Sequence, residues 1–295
     1  MIMAKTADSR VAAFSPSAKI RFVMADVTDS ARELERSHLC GPTAGMIQAE
    51  ALAGVALLGS ELVAEAETVT MRLKVSGPVG GVLVEASADG SLRGYTNVKV
   101  MNDLDACEEL DVSVALGEQA EMQIIRSVPG RILSSAATTL SPASVTNCIE
   151  LYFRQSLQRP VLVQVSALSY GGFLEGARAL LAEKLPDGDD AVFARVSQYF
   201  KDGTLLECLE CAASLKTVCE TVGLEDCVYE APLPLRFACR CSEERVAGML
   251  AALPVKDIEA MILEDRPTQI FCQMCGKGYQ VGTEQLREIL KKRGG

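Results

Sequence analysis

Four cysteines near the C-terminus constrain this chain more than any other feature. Cys239-Arg240-Cys241 and Cys272-Gln273-Met274-Cys275 form two close pairs about thirty residues apart. Pairs of this kind, each on a tight turn, can carry four thiolates to one tetrahedral ion. Soft sulfur ligands select zinc, and four of them close the shell with no position left for a substrate. The spacing therefore predicts one Zn2+ per chain in the reduced state, held by Cys239, Cys241, Cys272 and Cys275, with no catalytic role. A single Cys-x-x-Cys would say little; two pairs at this spacing are specific.

The rest of the composition narrows the class. The chain has 295 residues and is 48% hydrophobic, enough for a sizeable core plus a small metal module. Its formal net charge of -10, absence of tryptophan and 5% aromatic content argue against nucleic acid as a partner. Eleven cysteines would suggest disulfides in a secreted protein. The N-terminal stretch has no long apolar segment, so the expected compartment is a reducing one, the cytoplasm, with an organellar address left open. The apolar run Ala51 to Leu58 is too short to cross a bilayer, and no membrane partner is expected.

Taken in order, residues 1 to about 17 read as a loose arm and Ile20–Val27 as a first strand, with a short helix over Asp29–Glu35. Gly41-Pro42-Thr43 opens a helix running to about Glu65, with proline in the first turn where its missing N–H is harmless. Its Ala- and Leu-rich surface is apolar nearly all round, which only a buried helix can be. Val69, Met71, Leu73 and Val75 alternate with Thr70, Arg72 and Lys74, a half-buried strand. Gly81–Ser87 and Leu92–Val100 continue as strands across an Asp89-Gly90 turn. Met122–Ile125, Arg131–Ala137 and Val161–Val165 are further strands, and Cys148–Gln158 a helix. From Phe173 the composition turns helical: Phe173–Leu185, Ala191–Phe200 and Thr204–Val222, the last with Leu205, Cys208, Ala212, Leu215, Cys219 and Val222 as one apolar stripe before a stop at Gly223. Residues 224–236 read as an extended connector. The expected fold is α+β: a core domain (1–175) on a mainly antiparallel sheet with packed helices, a helical linker region (176–235) and a four-cysteine zinc module (236–295). In the module, Ser242 caps a helix that Pro254 ends, Val255–Leu263 is a second, and strands at Thr268–Phe271 and Tyr279–Val281 flank the second cysteine pair. Gly276 and Gly278 supply positive φ there. A terminal helix spans Glu284–Lys292, its basic end (Lys291, Lys292, Arg293) matching the helix dipole.

At Phe237-Ala238-Cys239-Arg240-Cys241-Ser242, and at Cys272-Gln273-Met274-Cys275 with Tyr279 behind it, the chain resembles the redox-regulated heat shock protein 33 chaperones. Gly77-Pro78, Val84-Glu85-Ala86, Arg93-Gly94-Tyr95, Tyr152-Phe153-Arg154-Gln155-Ser156 and Gly171-Gly172-Phe173-Leu174 extend the similarity over residues 18 to 290. Leu157 and Glu175 depart from the family pattern. The resemblance implies a holdase that needs no ATP and is inactive while reduced and zinc-bound. Oxidation is implied to form Cys239–Cys241 and Cys272–Cys275 disulfides, release the metal, unfold the module and linker, and expose apolar surface to unfolding client proteins, often as a homodimer. The chemistry is coherent by itself: metal binding can supply the folding free energy of a small module, and oxidised sulfur no longer binds the ion.

Two other readings use the same residues. A thiol–disulfide oxidoreductase would need Cys272/Cys275 at a helix N-terminus, whereas Gly276-Lys277-Gly278-Tyr279 after the pair is a metal-knuckle sequence. A constitutive structural zinc ribbon would keep its ion after mild peroxide. Cys208, Cys211, Cys219 and Cys227 invite a second metal site, but Cys208, Cys211 and Cys219 fall close to one helical face among Leu and Val and read as small buried apolar residues, with extra redox-sensitive thiols in the linker left open. Cys40, Cys107 and Cys148 read as packing, and His38, the lone histidine, as structural. Arg72/Lys74 and the acidic Asp103–Asp111 stretch read as solvated faces.

Overall fold

The computed structural model describes residues 7–107 and 110–293. Residues 1–6 of the expected arm and Glu108 and Glu109 of the acidic stretch lie outside the described residues, as does the side chain of Arg293. Contacts divide the chain between Ala238 and Cys239 into two units.

The first unit opens with antiparallel strands β1 (Ser9–Ser15) and β2 (Ile20–Asp26), then helices α1 (Thr28–His38) and α2 (Pro42–Leu58). A meander follows, β3 (Thr68–Val75), β4 (Gly81–Ser87) and β5 (Ser91–Thr96). One-turn helices α3 (Asn102–Asp105) and α4 (Val112–Leu116) precede the hairpin of β6 (Ala120–Val128) and β7 (Arg131–Leu140). Helix α5 (Val145–Tyr152) runs into a π turn at Phe153–Leu157, and β8 (Val161–Tyr170) and β9 (Phe173–Lys184) form a second long hairpin. Helices α6 (Asp190–Lys201), α7 (Thr204–Glu210) and α8 (Leu215–Thr221) lead to three two-residue strands, β10 (Val228–Tyr229), β11 (Leu233–Pro234) and β12 (Arg236–Phe237).

Two sheets result, ordered β10-β1-β2-β9-β8, with β11 also on β1, and β12-β5-β4-β3-β6-β7. Every pairing is antiparallel except β12 with β5. Helix α2 packs against β2, β8 and β9 of one sheet and β3, β4 and β5 of the other. Fourteen of its seventeen residues are buried, so the apolar character all round it is what a helix between two sheets requires. Gly54 lets α5 approach: a Cβ there would stand 2.7 Å from Ile149 Cδ1 and 2.9 Å from Val145 Cγ1. A second core lies on the other face of the first sheet, where Ile20, Phe22, Leu180 and Ala182 meet Val196, Leu205, Leu209, Leu215, Val218 and Cys219 of α6–α8.

Several expectations are corrected. The arm ends in β1, which pairs along its whole length with β2, so residues from Ser9 on are sheet rather than loose chain. Phe173–Leu185 is not a helix but β9, hydrogen-bonded to β2 on one side and β8 on the other. Ala177, Ala179 and Leu181 face α2 while Leu180 and Ala182 face α6–α8. A central strand buried on both faces carries a continuous apolar run, and its tertiary surroundings override the helical preference of Ala, Leu and Glu. Thr204–Val222 is two helices. Ala212 takes φ 55° and Ser214 caps α8 by accepting the Thr217 N–H at 3.1 Å. Cys211, at the end of α7, is consequently exposed, outside the apolar stripe. The helix expected to reach Glu65 stops at Leu58, followed by one 3-10 turn, and β5 ends at Thr96 rather than Val100.

The second unit contains α9 (Glu243–Ala251), α10 (Val255–Leu263), the hairpin of β13 (Thr268–Phe271) and β14 (Gly278–Val281), and α11 (Thr283–Arg293). Its core is small: Val246, Leu250, Ile258, Tyr279, Val281, Leu286 and Ile289.

Candidate metal centre

The chain leaves the first unit along a strap. β10 and β11 lie on the outer edge of β1, β12 lies on β5, and the Ala238 N–H donates to Leu92 O at 3.0 Å. Cys239 and Cys241 follow at once. Ser242 fixes the direction beyond them, its hydroxyl accepting the Arg245 N–H at 3.3 Å to start α9. The second pair sits on the β13–β14 turn. There the Gly276 N–H reaches Cys272 O at 2.8 Å and the Cys272 N–H reaches Lys277 O at 2.9 Å. The Met274 N–H points at the Cys272 sulfur and the Lys277 N–H at the Cys275 sulfur. Backbone donors aimed at sulfur favour the thiolate, the form in which cysteine binds metal.

Gly276 takes φ 71°, as the turn requires. Gly278 is a different case. It lies in β14, outside the positive-φ set, and its need is for space, since a Cβ would stand 3.1 Å from the Phe271 ring.

The four predicted sulfurs come together. All lie within 4.8 Å of one another, Cys239 Sγ 3.8 Å from Cys272 Sγ and Cys241 Sγ 3.4 Å from Cys275 Sγ. Sulfurs placed about 2.3 Å from a central zinc would be separated by about 3.8 Å. The donor set and its size fit a closed four-sulfur site that could hold a metal ion. Cys275 is buried and the other three are half-buried.

Burial pushes the Cys272 and Cys275 thiols up, and neighbouring sulfurs push them further, against the two N–H groups. Four thiolates at these distances repel one another in a poorly hydrated site, so the cluster requires a cation to be deprotonated together. The Tyr279 hydroxyl donates to Cys241 Sγ at 3.0 Å, and this contact raises the phenol's own pKa. The Tyr279 ring is part of the module core, so one side chain joins sulfur site and core. The sequence places Tyr279 four residues past the second pair but says nothing of the sulfur it reaches.

The remaining cysteines separate. Among the described residues the only group of three or more metal-ligating side chains is the one above, so Cys208, Cys211, Cys219 and Cys227 do not form a second. Cys148 is buried against Met71, its Sγ 3.8 Å from the thioether sulfur, as packing predicts. Cys107 is exposed, contrary to the packing expectation, because it follows the one-turn α3 at the surface. His38 is buried at the end of α1. No helix among the described residues is long and apolar enough to cross a membrane.

The family model for Hsp33 protein matches residues 8–282. A 33 kDa chaperonin from Geobacillus kaustophilus is 27% identical over 292 residues, covering 97% of this chain and 99% of its own length. One from Thermus thermophilus is 28% identical over 284 residues, covering 92% and 83%. The fold is similar to a crystal structure of the 33 kDa chaperonin (heat shock protein 33 homolog) from Thermotoga maritima, with TM-score 0.85 and 20% identity over 97% of this chain and 99% of that one.

Proposed function

The chain belongs to the Hsp33 protein family, and on that premise we propose that it is a redox-activated, ATP-independent holdase whose four sulfurs are both metal ligands and oxidant sensor. The observation that carries the reading is the four-sulfur cluster, the one such group among the described residues, in a module with only a small core. The ligands proposed are Cys239, Cys241, Cys272 and Cys275, and the ion proposed is Zn2+, one per reduced chain. When bound, it would neutralise the four thiolates and tie the start of α9 to the β13–β14 hairpin.

Oxidation acts on the chain's own sulfurs. Each disulfide removes two thiolate ligands, and Tyr279 loses the charged acceptor of its hydroxyl. Seven buried apolar side chains are a small core for a module that has lost its cross-link. The pairing proposed, from the family resemblance, is Cys239–Cys241 and Cys272–Cys275. Two short sulfur contacts run between the pairs, Cys239 to Cys272 and Cys241 to Cys275, and favour a second pairing. Peptide mapping of oxidised protein under non-reducing conditions separates the two.

Three segments carry the proposed action: a core (1–175), a linker (176–235) and the switch module (236–295). Within the linker, residues to Lys184 belong to β9 in the sheet, so the part proposed to loosen begins with α6. Its departure would uncover Ile20, Phe22, Leu180 and Ala182, a contiguous apolar face able to hold unfolding client proteins. The active form is proposed to be a homodimer, to act without nucleic acid or membrane, and to work in the cytoplasm. No enzymatic step is assigned.

The test measures zinc and protection on one sample. Reduced protein is expected to bind one zinc and leave a thermally aggregating protein unprotected. Peroxide with mild heat is expected to release the zinc and turn protection on. Equal protection in the reduced, metal-loaded form would remove the switch, and zinc retained with no protection in either state would favour a structural ribbon.

A further inference from the structure

The strap leaving the first unit crosses from the edge of β1 to the edge of β5 at Leu235, whose N–H donates to Asp8 O at 3.0 Å. On β5 it lies extended. The Arg236 N–H donates to Gly90 O and the Ala238 N–H to Leu92 O, both at 3.0 Å. Leu235 is buried in the first core and Phe237 packs against that core, two residues on and so on the same side of the strand. Arg236 between them reaches the Asp89-Gly90 turn, where its guanidinium donates to Asp89 O at 3.0 Å and to Asp89 Oδ2 at 2.6 Å. Ser91 fixes that carboxylate, its N–H donating to Oδ1 at 3.0 Å and its hydroxyl to Oδ2 at 2.9 Å. Gly90 makes room for the strap's backbone, since a Cβ there would collide with Pro234 O.

We propose that this edge of the second sheet is a peptide-binding site with the strap as its internal ligand, and that on the strap's departure it takes extended segments of unfolding proteins in which a basic residue lies between two apolar ones. The opening of the site rests on the switch proposed above; the selectivity of the seat does not.

The chemistry of the seat defines its occupant. Main-chain acceptors on a sheet edge hold any extended segment, and side-chain positions along it choose among segments. Here the choice is made by two apolar positions flanking one fixed negative charge, the complement of Leu235-Arg236-Phe237. The apolar face beneath α6–α8 is a different surface: it offers area without direction, whereas the β5 edge offers aligned carbonyls and a carboxylate. The strap pairs with only Ser91 and Leu92 of β5, so a longer segment can continue along the strand. A tethered strap competes at an effective concentration on the order of millimolar. A guest therefore keeps the edge only while module and strap are unfolded, and the returning strap displaces it.

The experiment has two arms, both on the full-length chain. In reduced, metal-loaded protein, Arg236→Glu is expected to speed amide exchange over residues 235–238 about fivefold, the scale of one exposed ion pair, and adding Asp89→Lys to restore it. Exchange unchanged by the first substitution, or not restored by the second, would overturn the charge selectivity. In the second arm the probes are the peptide Gly-Leu-Arg-Phe-Ala-Gly-Trp and its counterpart with Glu in place of Arg, followed by tryptophan anisotropy, since the chain itself has no tryptophan. Oxidised protein, and reduced Leu235→Asp/Phe237→Asp protein whose strap has lost its anchors, are expected to bind the Arg peptide about fivefold tighter, with Asp89→Lys reversing the order. Equal binding of the two peptides, or binding of neither, by the reduced strap variant with α2 and β3 still protected from exchange would overturn the site. Should that variant unfold, the same comparison on oxidised protein that protects an aggregating protein decides. The Arg preference in the strap variant of a chain that oxidation does not activate would support the site and remove the switch.

Discussion

Tyr279 is the residue through which chemistry at sulfur reaches the packing of the module. Its ring lies among Val246, Ile258 and Leu286, and its hydroxyl donates to Cys241. Tyr279→Phe keeps the ring and deletes only the donor. A hydrogen bond to a charged acceptor contributes about 1.5–3 kcal/mol, so the variant's metal-loaded module should unfold at lower urea with its fold unchanged, read by tyrosine-independent amide exchange over α9 and α11. A second residue-scale prediction concerns Glu61 in the first unit. Burial pushes its carboxyl up, but Arg159, with Arg21, outweighs that and holds it below its ordinary value. A carboxylate depressed in the folded state contributes stability that is complete above its ordinary value of 4.5 and is lost as pH falls through the folded value. Melting temperature should therefore fall on acidification below about 4.5, and less steeply in Glu61→Gln.

At the scale of elements, the first unit depends on α2 fitting between two sheets. Gly54→Val would drive a branched side chain into Ile149 and Val145, contacts already closer than van der Waals distance for a bare Cβ. Overpacking of this kind costs about 1–3 kcal/mol, and the urea midpoint of the first unit should drop with the module's metal affinity unchanged. The same scale shows where sequence reading succeeds and where it fails. Strand β3 is legible because only one of its faces is buried: Met71 and Leu73 point inward and Arg72 and Lys74 outward, a pattern of period two. Strand β9 is illegible for the opposite reason. With a core on each face, Ala179–Ala182 shows no polar alternation, and this Ala-Leu-Leu-Ala run is indistinguishable by composition from a buried helix. The break between α7 and α8 is hidden too, because both short helices lie on one sheet face and keep the apolar spacing across a non-helical Ala212.

For the whole molecule, the division at Ala238/Cys239 puts all four clustered cysteines in one unit. The first unit has two cores of its own, whereas the second has one small cluster beside the sulfurs. Removing metal with a chelator under reducing conditions should abolish amide protection from Cys239 onward and leave that of α2, β3 and β9 in place. Limited proteolysis should then release a stable fragment ending near Ala238. Loss of protection in both units together would show the first to depend on the module for its folding.

The four cysteines that cluster were legible in the sequence itself. Cysteine pairs two and three residues apart lie on their turns by local geometry, so Cys239, Cys241, Cys272 and Cys275 could be grouped before any fold was known. Only the tertiary structure decided that Tyr279 reaches Cys241 and that residues 173–184 form a central strand. Those outcomes depend on groups far apart in sequence or on the number of faces an element buries, and neither quantity is written in local order.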